Sequence, residues 1–492
     1  MRLALVALVG LAAPLAAQTP CTAGHAGAYA CAGVDLAAHL PVSTFATSGS
    51  PAPFANSDIW GWTDPETGHE IALVGSSNGT SFVDVTEPAA PVFLGKLPTA
   101  SGETIWRDIK VDGDFAFIVS EFDDHGMQVF DLRRLRDVAS PPQTFTADAR
   151  YTGIGKAHNI VVSETGDLAI AVGANQSGYA CNGGGLHLID ISTPTAPVFA
   201  GCYDEAGYTH DAQCGLYDGP DADYQGREIC VNYNTNRVSI VDVTDPAAVA
   251  SISDVFYPNP GYTHQGWFTP DGRYLVINDE ADENGSAGTR TIVMEVSDLD
   301  NPSFDFFYFG STTSTDHNLY IVGDLIFESN YGAGLQILDA SAIGNGRLRE
   351  VAFFDTTPGG GSGQWSNYPY FASGTVVAND IGEGLFVLLP DPALSVGSAP
   401  APATGLATLG APVPNPTSGR TELALRVEAS QPVAAELYDT LGRRVATLFD
   451  GTASPDVPLV LTVDGGGLPT GVYVVRARGA SFDLSRSLTV SR

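Results

Sequence analysis

Basic residues are scarce in this sequence: lysine and arginine together number 23, against 56 aspartates and glutamates, and the formal net charge is −33. Residues 413–492 contain eight arginines and eight acidic residues, so the part of the chain before them carries the negative charge. A body this acidic repels nucleic-acid phosphates and anionic membrane surfaces. The composition therefore argues against nucleic acid as a partner. It favours cations, or simply solubility in a salty medium.

Long apolar runs are absent after the first residues. The opening MRLALVALVGLAAPLAAQ has one arginine followed by an apolar run that ends in small residues, and it is too short to cross a bilayer comfortably. This pattern predicts a cleaved export signal over residues 1–17. We therefore expect a protein that is exported through the inner membrane, has no transmembrane segment, and is then soluble or held at a surface by something other than a helix.

Motifs of nucleophilic and phosphate chemistry are also missing. The chain has no Gly-x-Ser-x-Gly elbow, and the glycine run that begins at Asn182 precedes a predicted strand rather than a helix. The adjacent pair His210-Asp211 could supply a general base. Neighbouring residues on a strand point to opposite sides, however, so the two side chains cannot orient each other.

Cysteine is limited to six residues, and no Cys-x-x-Cys is present. In an exported chain an even number of cysteines fits disulfides, since the compartment is oxidising. We predict the pairs Cys21–Cys31, Cys181–Cys202 and Cys214–Cys230. A zinc cluster is the alternative, which the missing Cys-x-x-Cys makes the weaker of the two.

The feature that the sequence does contain is a repeat. A β-branched phrase that ends mostly in Asp and is followed by a Pro- or Gly-marked turn occurs seven times. The copies begin at Ser81, Met127, Leu186, Val238, Thr291, Leu335 and Leu385. Between them lies a second unit of strand, Asp/Gly turn and strand, so each repeat contains four strands. One histidine marks the unit at His158, His210, His264 and His317, at nearly constant spacing.

Seven four-stranded repeats without helical periodicity predict an all-β chain whose residues 18–391 form a seven-bladed β-propeller. The last repeat lacks a fourth strand, and the segment VDLAAHLPVSTF from Val34 is a spare one that would complete it and close the ring. The low-complexity residues 392–410 predict a flexible linker. The alternating strands of residues 411–492 predict a small C-terminal β-sandwich.

Two resemblances go with this organisation. The phrases VDVTDPA and LIDISTPTAPVFAG resemble the LVIVD repeat, and GREICVNYNTNRVSIVDVTDP with YTHDAQC and YTHQGWF resembles the choice-of-anchor B family, over roughly residues 21–391. That resemblance implies an exported bacterial protein joined to a C-terminal anchor, and it implies no established reaction.

The tail is similar to the C-terminal sorting domain of the type IX secretion system. The likeness is carried by Pro-Asn-Pro at 414–416, YDTLGRR at 438–444 and LPTGVY at 468–473. It implies that residues 411–492 are recognised by the type IX machinery. The protein would then be secreted or anchored at the outer cell surface.

Polar and aromatic residues recur where each innermost strand is predicted to begin. Because the strands of a blade are antiparallel, the starts of the first strands and the ends of the second strands lie on one face of the ring. We predict that one mouth of the central channel is lined by Trp106, Asp108, His158, His210, Asp211, His264, His317, Asn318 and Trp365. The alternative is that each histidine fixes the repeat by bonding to a carbonyl or carboxylate of a neighbouring blade, with the rings too far apart to share an ion.

Carboxylates near this mouth could hold a divalent cation. An oxygen-rich loop with glycine suits calcium, and we predict Asp279, Glu280, Asp282 and Glu328 as ligands. The acidic loop over residues 218–228 is a second candidate, and neither loop has the EF-hand order. Solvated acidic turns are the ordinary alternative in an acidic protein.

The functional hypothesis from these features is a binding and scaffold protein for an unknown protein, peptide or glycan, with no catalytic residue assigned. The alternative is a metal-dependent hydrolase of the lactonase or phosphoesterase type, in which His210 and His264 would carry the activity.

Overall fold

A computed structural model describes most of the chain. The described residues are 18–163, 166–283, 288–395, 407–409, 412–415, 417–427, 430–439, 444–455, 458–479 and 482–491. The predicted signal over residues 1–17 and most of the predicted linker lie outside them.

Strands dominate the described residues, and the prediction of an all-β chain is confirmed. The helical elements are single turns: Val42–Thr44, Leu132–Leu135, Ile343–Asn345, Pro392–Ser395 and Gly465–Gly467. None of these has the length or apolar character that crossing a membrane would require.

Seven antiparallel sheets, numbered here along the chain, form the larger part of the described residues. Sheet 1 contains Asn56–Thr63, Glu70–Ser76, Gly79–Asp84 and Val92–Pro98, and Gln143–Thr144 adds to it in parallel. Sheet 2 contains Arg107–Asp112, Phe115–Ser120, Met127–Asp131 and Ala149–Tyr151. Sheet 3 contains Asn159–Val162, Leu168–Val172, Leu186–Asp190 and Val198–Tyr203.

The remaining sheets repeat this order. Sheet 4 contains Asp211–Leu216, Glu228–Tyr233, Val238–Asp242 and Ala250–Val255. Sheet 5 contains Thr263–Phe268, Tyr274–Asp279, Arg290–Glu295 and Ser303–Phe309. Sheet 6 contains Asn318–Val322, Leu325–Ser329, Leu335–Asp339 and Arg349–Phe354, extended by Tyr29–Ala32 and His25–Ala26. Sheet 7 contains Gln364–Tyr368, Val376–Asp380, Gly384–Pro390 and Val34–Leu40.

The sheets surround a common centre in a propeller-like arrangement. The first strand of each sheet contacts the first strand of the next, and Gln364–Tyr368 of sheet 7 contacts Asn56–Thr63 of sheet 1. Inner strands are buried on both faces by the neighbouring sheets, so every residue of Glu70–Ser76 is buried. The outer strand Ser303–Phe309 instead contains exposed and half-buried residues. The polar groups that remain on the inner strands therefore lie near the centre.

The N-terminal strand joins the two ends of the arrangement. Val34–Leu40 runs antiparallel to Gly384–Pro390, with Val34 opposite Pro390 and Leu40 opposite Leu385. This is the pairing expected from the spare segment in the sequence.

The three predicted disulfides are confirmed. Their pairs are Cys21–Cys31, Cys181–Cys202 and Cys214–Cys230. Cys214 lies directly opposite Cys230 on adjacent strands of sheet 4, so the bond crosses one hairpin. With every cysteine paired, the zinc-cluster alternative has no thiolates.

The C-terminal residues form two further sheets that share one core. One sheet contains Ala407–Leu409, Arg420–Val427 and Leu459–Asp464, and the other contains Gln431–Asp439, Arg444–Ala453, Gly471–Gly479 and Phe482–Val490. Along Arg420–Val427, exposed and buried residues alternate strictly, and the buried ones include Leu423 and Leu425 of the core. Of the sorting motifs, Pro416 and residues 440–443 lie outside the described residues.

Candidate functional site

A cavity of about 670 Å³ opens at the centre of the ring, at the end where the first strands begin. We call it the central cavity. Six of the nine predicted mouth residues line it: Trp106, His158, His210, His264, His317 and Trp365. Glu280, Tyr331 and residues 313–315 complete much of its wall.

Four imidazoles form a continuous arc along this wall. The ring centroids of His158 and His210 are 4.1 Å apart, those of His210 and His264 are 4.1 Å apart, and those of His264 and His317 are 4.2 Å apart. Trp365 continues the arc, with its ring centroid 4.8 Å from that of His317. The arc arises because each of four successive sheets contributes its histidine at the same height, so neighbouring rings are closer than the sequence argument allowed.

Strand bulges aim two of these rings. In sheet 5, Thr263 pairs with Asp279 and Gln265 pairs with Asn278, so His264 is the extra residue between two pairs. Trp365 has the same place in sheet 7. A bulge turns its extra side chain out of the regular alternation, and here it directs the ring into the central cavity.

The Nδ1 atoms of three of these histidines face acceptors of the protein. Nδ1 of His210 lies 3.1 Å from the carbonyl oxygen of His264, and Nδ1 of His317 lies 2.6 Å from that of Trp365. Nδ1 of His158 lies 2.6 Å from Glu121 Oε1. A carbonyl oxygen only accepts, so His210 and His317 carry their proton on Nδ1, and Nε2 keeps its lone pair. His210 and His317 therefore bond to a carbonyl group of the neighbouring sheet, as the repeat-fixing alternative expects, and their Nε2 atoms remain acceptors.

Burial keeps three imidazoles uncharged at neutral pH. Desolvation lowers the pKa of His317 to about 3. It lowers the pKa values of His210 and His264 well below the ordinary value, and neighbouring imidazoles add to the effect. Neutral imidazoles in a row offer nitrogen lone pairs, which can accept hydrogen bonds or bind a metal.

Glu280 lies beside the arc. Its Oε2 is 3.6 Å from His264 Nε2, and its Oε1 accepts a hydrogen bond of 2.7 Å from the hydroxyl of Tyr331. His264, Glu280 and His317 offer donor atoms that all lie within 4.8 Å of one another. Burial raises the pKa of Glu280. Two imidazoles and one carboxylate at such spacing are a donor set that divalent metals use.

The predicted metal ligands Asp279, Glu280, Asp282 and Glu328 do not converge, and of the four Glu280 lines the central cavity. Asp279 is the last residue of its strand and does not line the cavity, whereas Glu280 is the first residue of the following turn. Oδ2 of Asp279 accepts hydrogen bonds from the Tyr257 hydroxyl at 2.7 Å and the Gly261 amide at 2.8 Å.

The other two carboxylates are occupied as well. Asp282 pairs with the guanidinium of Arg290 at 2.5 Å. Glu328 is buried in sheet 6 and accepts a hydrogen bond of 2.8 Å from the Thr291 hydroxyl, and burial raises its pKa to about 7. The donors that come together are thus Glu280 and two histidines, in place of the predicted carboxylate set.

The acidic loop over residues 218–228 lies away from the central cavity. Asp221 comes close to Asp298 and Asp300 in a largely exposed group. Its Oδ2 accepts a hydrogen bond of 2.8 Å from the Leu299 amide, so this carboxylate also holds two neighbouring loops together.

The remaining predicted mouth residues, Asp108, Asp211 and Asn318, are buried and do not line the central cavity. Lys110 donates to Asp108 Oδ1 at 2.6 Å. Burial acts to lower the pKa of Lys110, but the carboxyl groups of Asp108, Asp58 and Asp211 together outweigh burial and raise that pKa. We call Asp58, Asp108, Asp211 and Lys110 the acid layer.

Burial in the acid layer disfavours charge on the carboxyl groups of Asp58 and Asp211. It raises the pKa of Asp58 to about 7, with Asp108 adding to the shift, and it raises the pKa of Asp211 well above the ordinary value. Sequence reasoning missed Asp58, although it lies one repeat before Asp108 and occupies the corresponding place in sheet 1.

Tyr331 was also missed. It follows the second strand of sheet 6 on a loop, outside the repeated phrases, and its ring centroid lies 4.7 Å from that of His317. Tyr331 reaches the cavity because of the conformation of its loop, which the repeat pattern does not predict.

Comparison with known families matches residues 177–205 to the LVIVD repeat, which confirms that part of the resemblance. No curated protein matches the chain significantly. Among solved structures, the chain is similar to PorZ, described as an essential bacterial surface component of the type-IX secretion system of human oral-microbiomic Porphyromonas gingivalis. The identity is 12%, the TM-score is 0.45, and the match covers 90% of this chain and 60% of the PorZ chain.

Proposed function

We propose that this protein is an exported, surface-associated β-propeller of seven blades that binds a protein, peptide or glycan ligand in its central cavity. The observation that carries the proposal is the cavity itself, about 670 Å³ in volume and lined by imidazoles, tyrosine and tryptophan around one carboxylate. A concave site with aromatic faces and a few convergent polar groups is the usual form of a ligand site. Trp106 stands at its rim with 43% of its surface exposed, available for stacking.

The export part of the proposal draws on covalent structure and on the tail. Three disulfides fit an oxidising compartment outside the cytoplasm. We assign residues 18–391 to a choice-of-anchor B propeller and residues 411–492 to a sorting β-sandwich that the type IX machinery recognises. The neutral charge of the tail, beside an acidic body, is in keeping with a separate role for it.

The binding proposal is tested with the mature full chain on glycan and peptide arrays, followed by titration of any hit. Trp106→Ala should weaken binding about tenfold, since loss of a stacking aromatic costs on the order of 1.4 kcal/mol. Phe256→Ala is the matched control, because Phe256 is 62% exposed and does not line the cavity. A hit that both variants bind equally well would place the ligand elsewhere.

The delivery proposal is tested in a bacterium with a working type IX system. Residues 411–492 fused behind an exported reporter should bring it to the cell surface, and deletion of these residues from the full chain should leave the protein in the periplasm. Surface display of the deleted chain would contradict the assignment.

A second candidate function is a metal-dependent hydrolase, and the grouping of His264, Glu280 and His317 favours it. Lactone and phosphoester substrates would be turned over by the metal-loaded chain, and the activity would fall with His264→Gln. Turnover that persists in that variant would contradict the candidate.

A further inference from the structure

We propose that His264, Glu280 and His317 bind one divalent transition-metal ion of the zinc class at the wall of the central cavity. This inference rests on the proposed use of that cavity as a binding site and names the ligand chemistry of one part of it. It does not depend on which organic or macromolecular ligand enters.

The donor geometry is close to what such an ion needs. A tetrahedral zinc ion with bonds of about 2.0–2.1 Å holds neighbouring donors about 3.3 Å apart. Here His264 Nε2 and Glu280 Oε2 are 3.6 Å apart, and all donor atoms of the group lie within 4.8 Å. Small side-chain rotations therefore suffice to bring the three donors onto one ion.

The groups around the donors are those that orient metal ligands. Metal-binding imidazoles generally donate their other ring nitrogen to a carbonyl or carboxylate, and metal-binding carboxylates are themselves hydrogen-bonded. His317 Nδ1 has the Trp365 carbonyl at 2.6 Å, and Glu280 has the Tyr331 hydroxyl at 2.7 Å. These contacts leave His317 Nε2 as the acceptor and hold one oxygen of the Glu280 carboxylate.

Packing fixes the third donor. His264 is 1% exposed, and its ring lies between those of His210 and His317 at centroid distances of 4.1 and 4.2 Å. The ring cannot turn away without displacing both neighbours, so its Nε2 stays directed toward Glu280.

The donor types select the class of ion. Calcium and magnesium prefer sets made of oxygen atoms, whereas imidazole suits zinc, copper, nickel and cobalt. Three protein ligands leave a fourth position, and the adjoining cavity gives it access to solvent or a ligand. We therefore assign an open site for an exchangeable fourth ligand rather than a closed structural site.

The test uses the mature full chain after removal of metal by a chelator, titrated calorimetrically with zinc chloride and, separately, followed by the visible spectrum of cobalt(II). We expect one zinc per chain and a tetrahedral cobalt spectrum. Glu280→Gln and His317→Asn should abolish both signals. Asn keeps a donor where His317 has Nδ1, toward the Trp365 carbonyl, and removes Nε2.

Two further variants separate ligation from general damage. Tyr331→Phe should weaken zinc binding about 10- to 100-fold, because it removes the hydrogen bond that orients Glu280. Glu121→Gln changes a carboxylate that holds His158 in the same arc but is not part of the group, and it should bind zinc as the wild type does. Circular dichroism and thermal unfolding of each metal-free variant report its folding.

Absence of zinc binding in the folded wild type would overturn the proposal, as would full binding in folded Glu280→Gln and His317→Asn. Displacement of zinc by equimolar calcium would overturn the assigned class of ion. If the folded wild type binds no zinc but still binds a ligand in a Trp106-dependent way, the metal proposal fails and the proposed function stands. Zinc binding in a protein that binds no Trp106-dependent ligand would support the metal site and contradict the proposed function.

Discussion

Two layers of ionisable groups meet at the centre of the ring, and burial acts on them in opposite senses. In the cavity layer, His210 and His317 lose protons and become neutral nitrogen donors. One residue further along the chain, in the acid layer, Asp211 takes up a proton more readily, and Asp58 does the same in sheet 1. The same desolvation therefore removes positive charge from one layer and negative charge from the other.

The two layers differ in which of their polar atoms have hydrogen-bond partners within the protein. In the acid layer, Asp108 accepts from the backbone amides of Ile109 and Ile160, at 2.6 and 2.8 Å, and from Lys110. In the cavity layer, acceptors of the protein face Nδ1 of His158, His210 and His317, which leaves Nε2 as the second nitrogen of each of these rings. The acid layer therefore joins strands, whereas the cavity layer keeps nitrogen acceptors that the proposed binding would use.

The largest expected effect concerns Lys110, whose side chain is 12% exposed. Lys110→Met leaves three buried carboxyl groups without their cation, so we expect the free energy of unfolding at pH 8 to fall by about 3–5 kcal/mol. Urea unfolding measures this change.

Lys156→Met is the matched control. Lys156 pairs with Asp123 at 3.2 Å on the surface, and such pairs contribute about 0–1 kcal/mol. Equal losses in the two lysine variants would mean that the acid layer is not held by its ammonium group.

A second prediction concerns the pH dependence of stability. The pKa of Asp58 is raised from 3.8 to about 7 on folding, so the folded state binds more protons than the unfolded state between these values. The contribution of Asp58 is therefore fully present below pH 3.8 and is lost as the pH rises toward 7.

Asp58→Asn removes this titration and retains an acceptor for the Ile59 amide. The unfolding free energy of the variant relative to wild type should rise between pH 4 and pH 8, on the order of 4 kcal/mol, since the pKa shift of about three units corresponds to about 1.4 kcal/mol per unit. Parallel curves for the two proteins would show that Asp58 does not titrate in this window.

Much of the arrangement was predictable because the fold repeats. The regular spacing of His158, His210, His264 and His317 places one imidazole on each of four successive sheets, so the repeat predicts that the four rings lie at one mouth of the channel, whereas their close contact was not predicted. The pairing of the strand from Val34 was also predictable, because the last repeat lacks a fourth strand. The pair Cys214–Cys230 was predictable because the two cysteines lie on successive predicted strands.

The grouping of His264, Glu280 and His317 was not predictable from spacing. Asp279 is the last residue of its strand and Glu280 is the first residue of the following turn, and a bulge at His264 interrupts the pairing of the partner strand beside them. Tyr331 reaches the site from a loop that no repeat specifies. Bulges and loops depend on tertiary contacts, whereas periodicity reports only the regular part of a strand.

The smallest expected effect separates the two nitrogens of His317. His317→Asn should lower the free energy of unfolding by no more than about 1 kcal/mol, because the bond toward the Trp365 carbonyl is kept. His317→Ala should cost about 2–3 kcal/mol, since it leaves that buried carbonyl without its donor. Thermal unfolding of the two metal-free variants measures the difference.

A small loss in His317→Asn together with loss of zinc binding would assign Nδ1 to the fold and Nε2 to the ligand. Equal losses of stability in the Asn and Ala variants would mean that the ring is needed for packing as a whole. The cavity layer would then be structural in the same sense as the acid layer, and the contrast between the two layers would disappear.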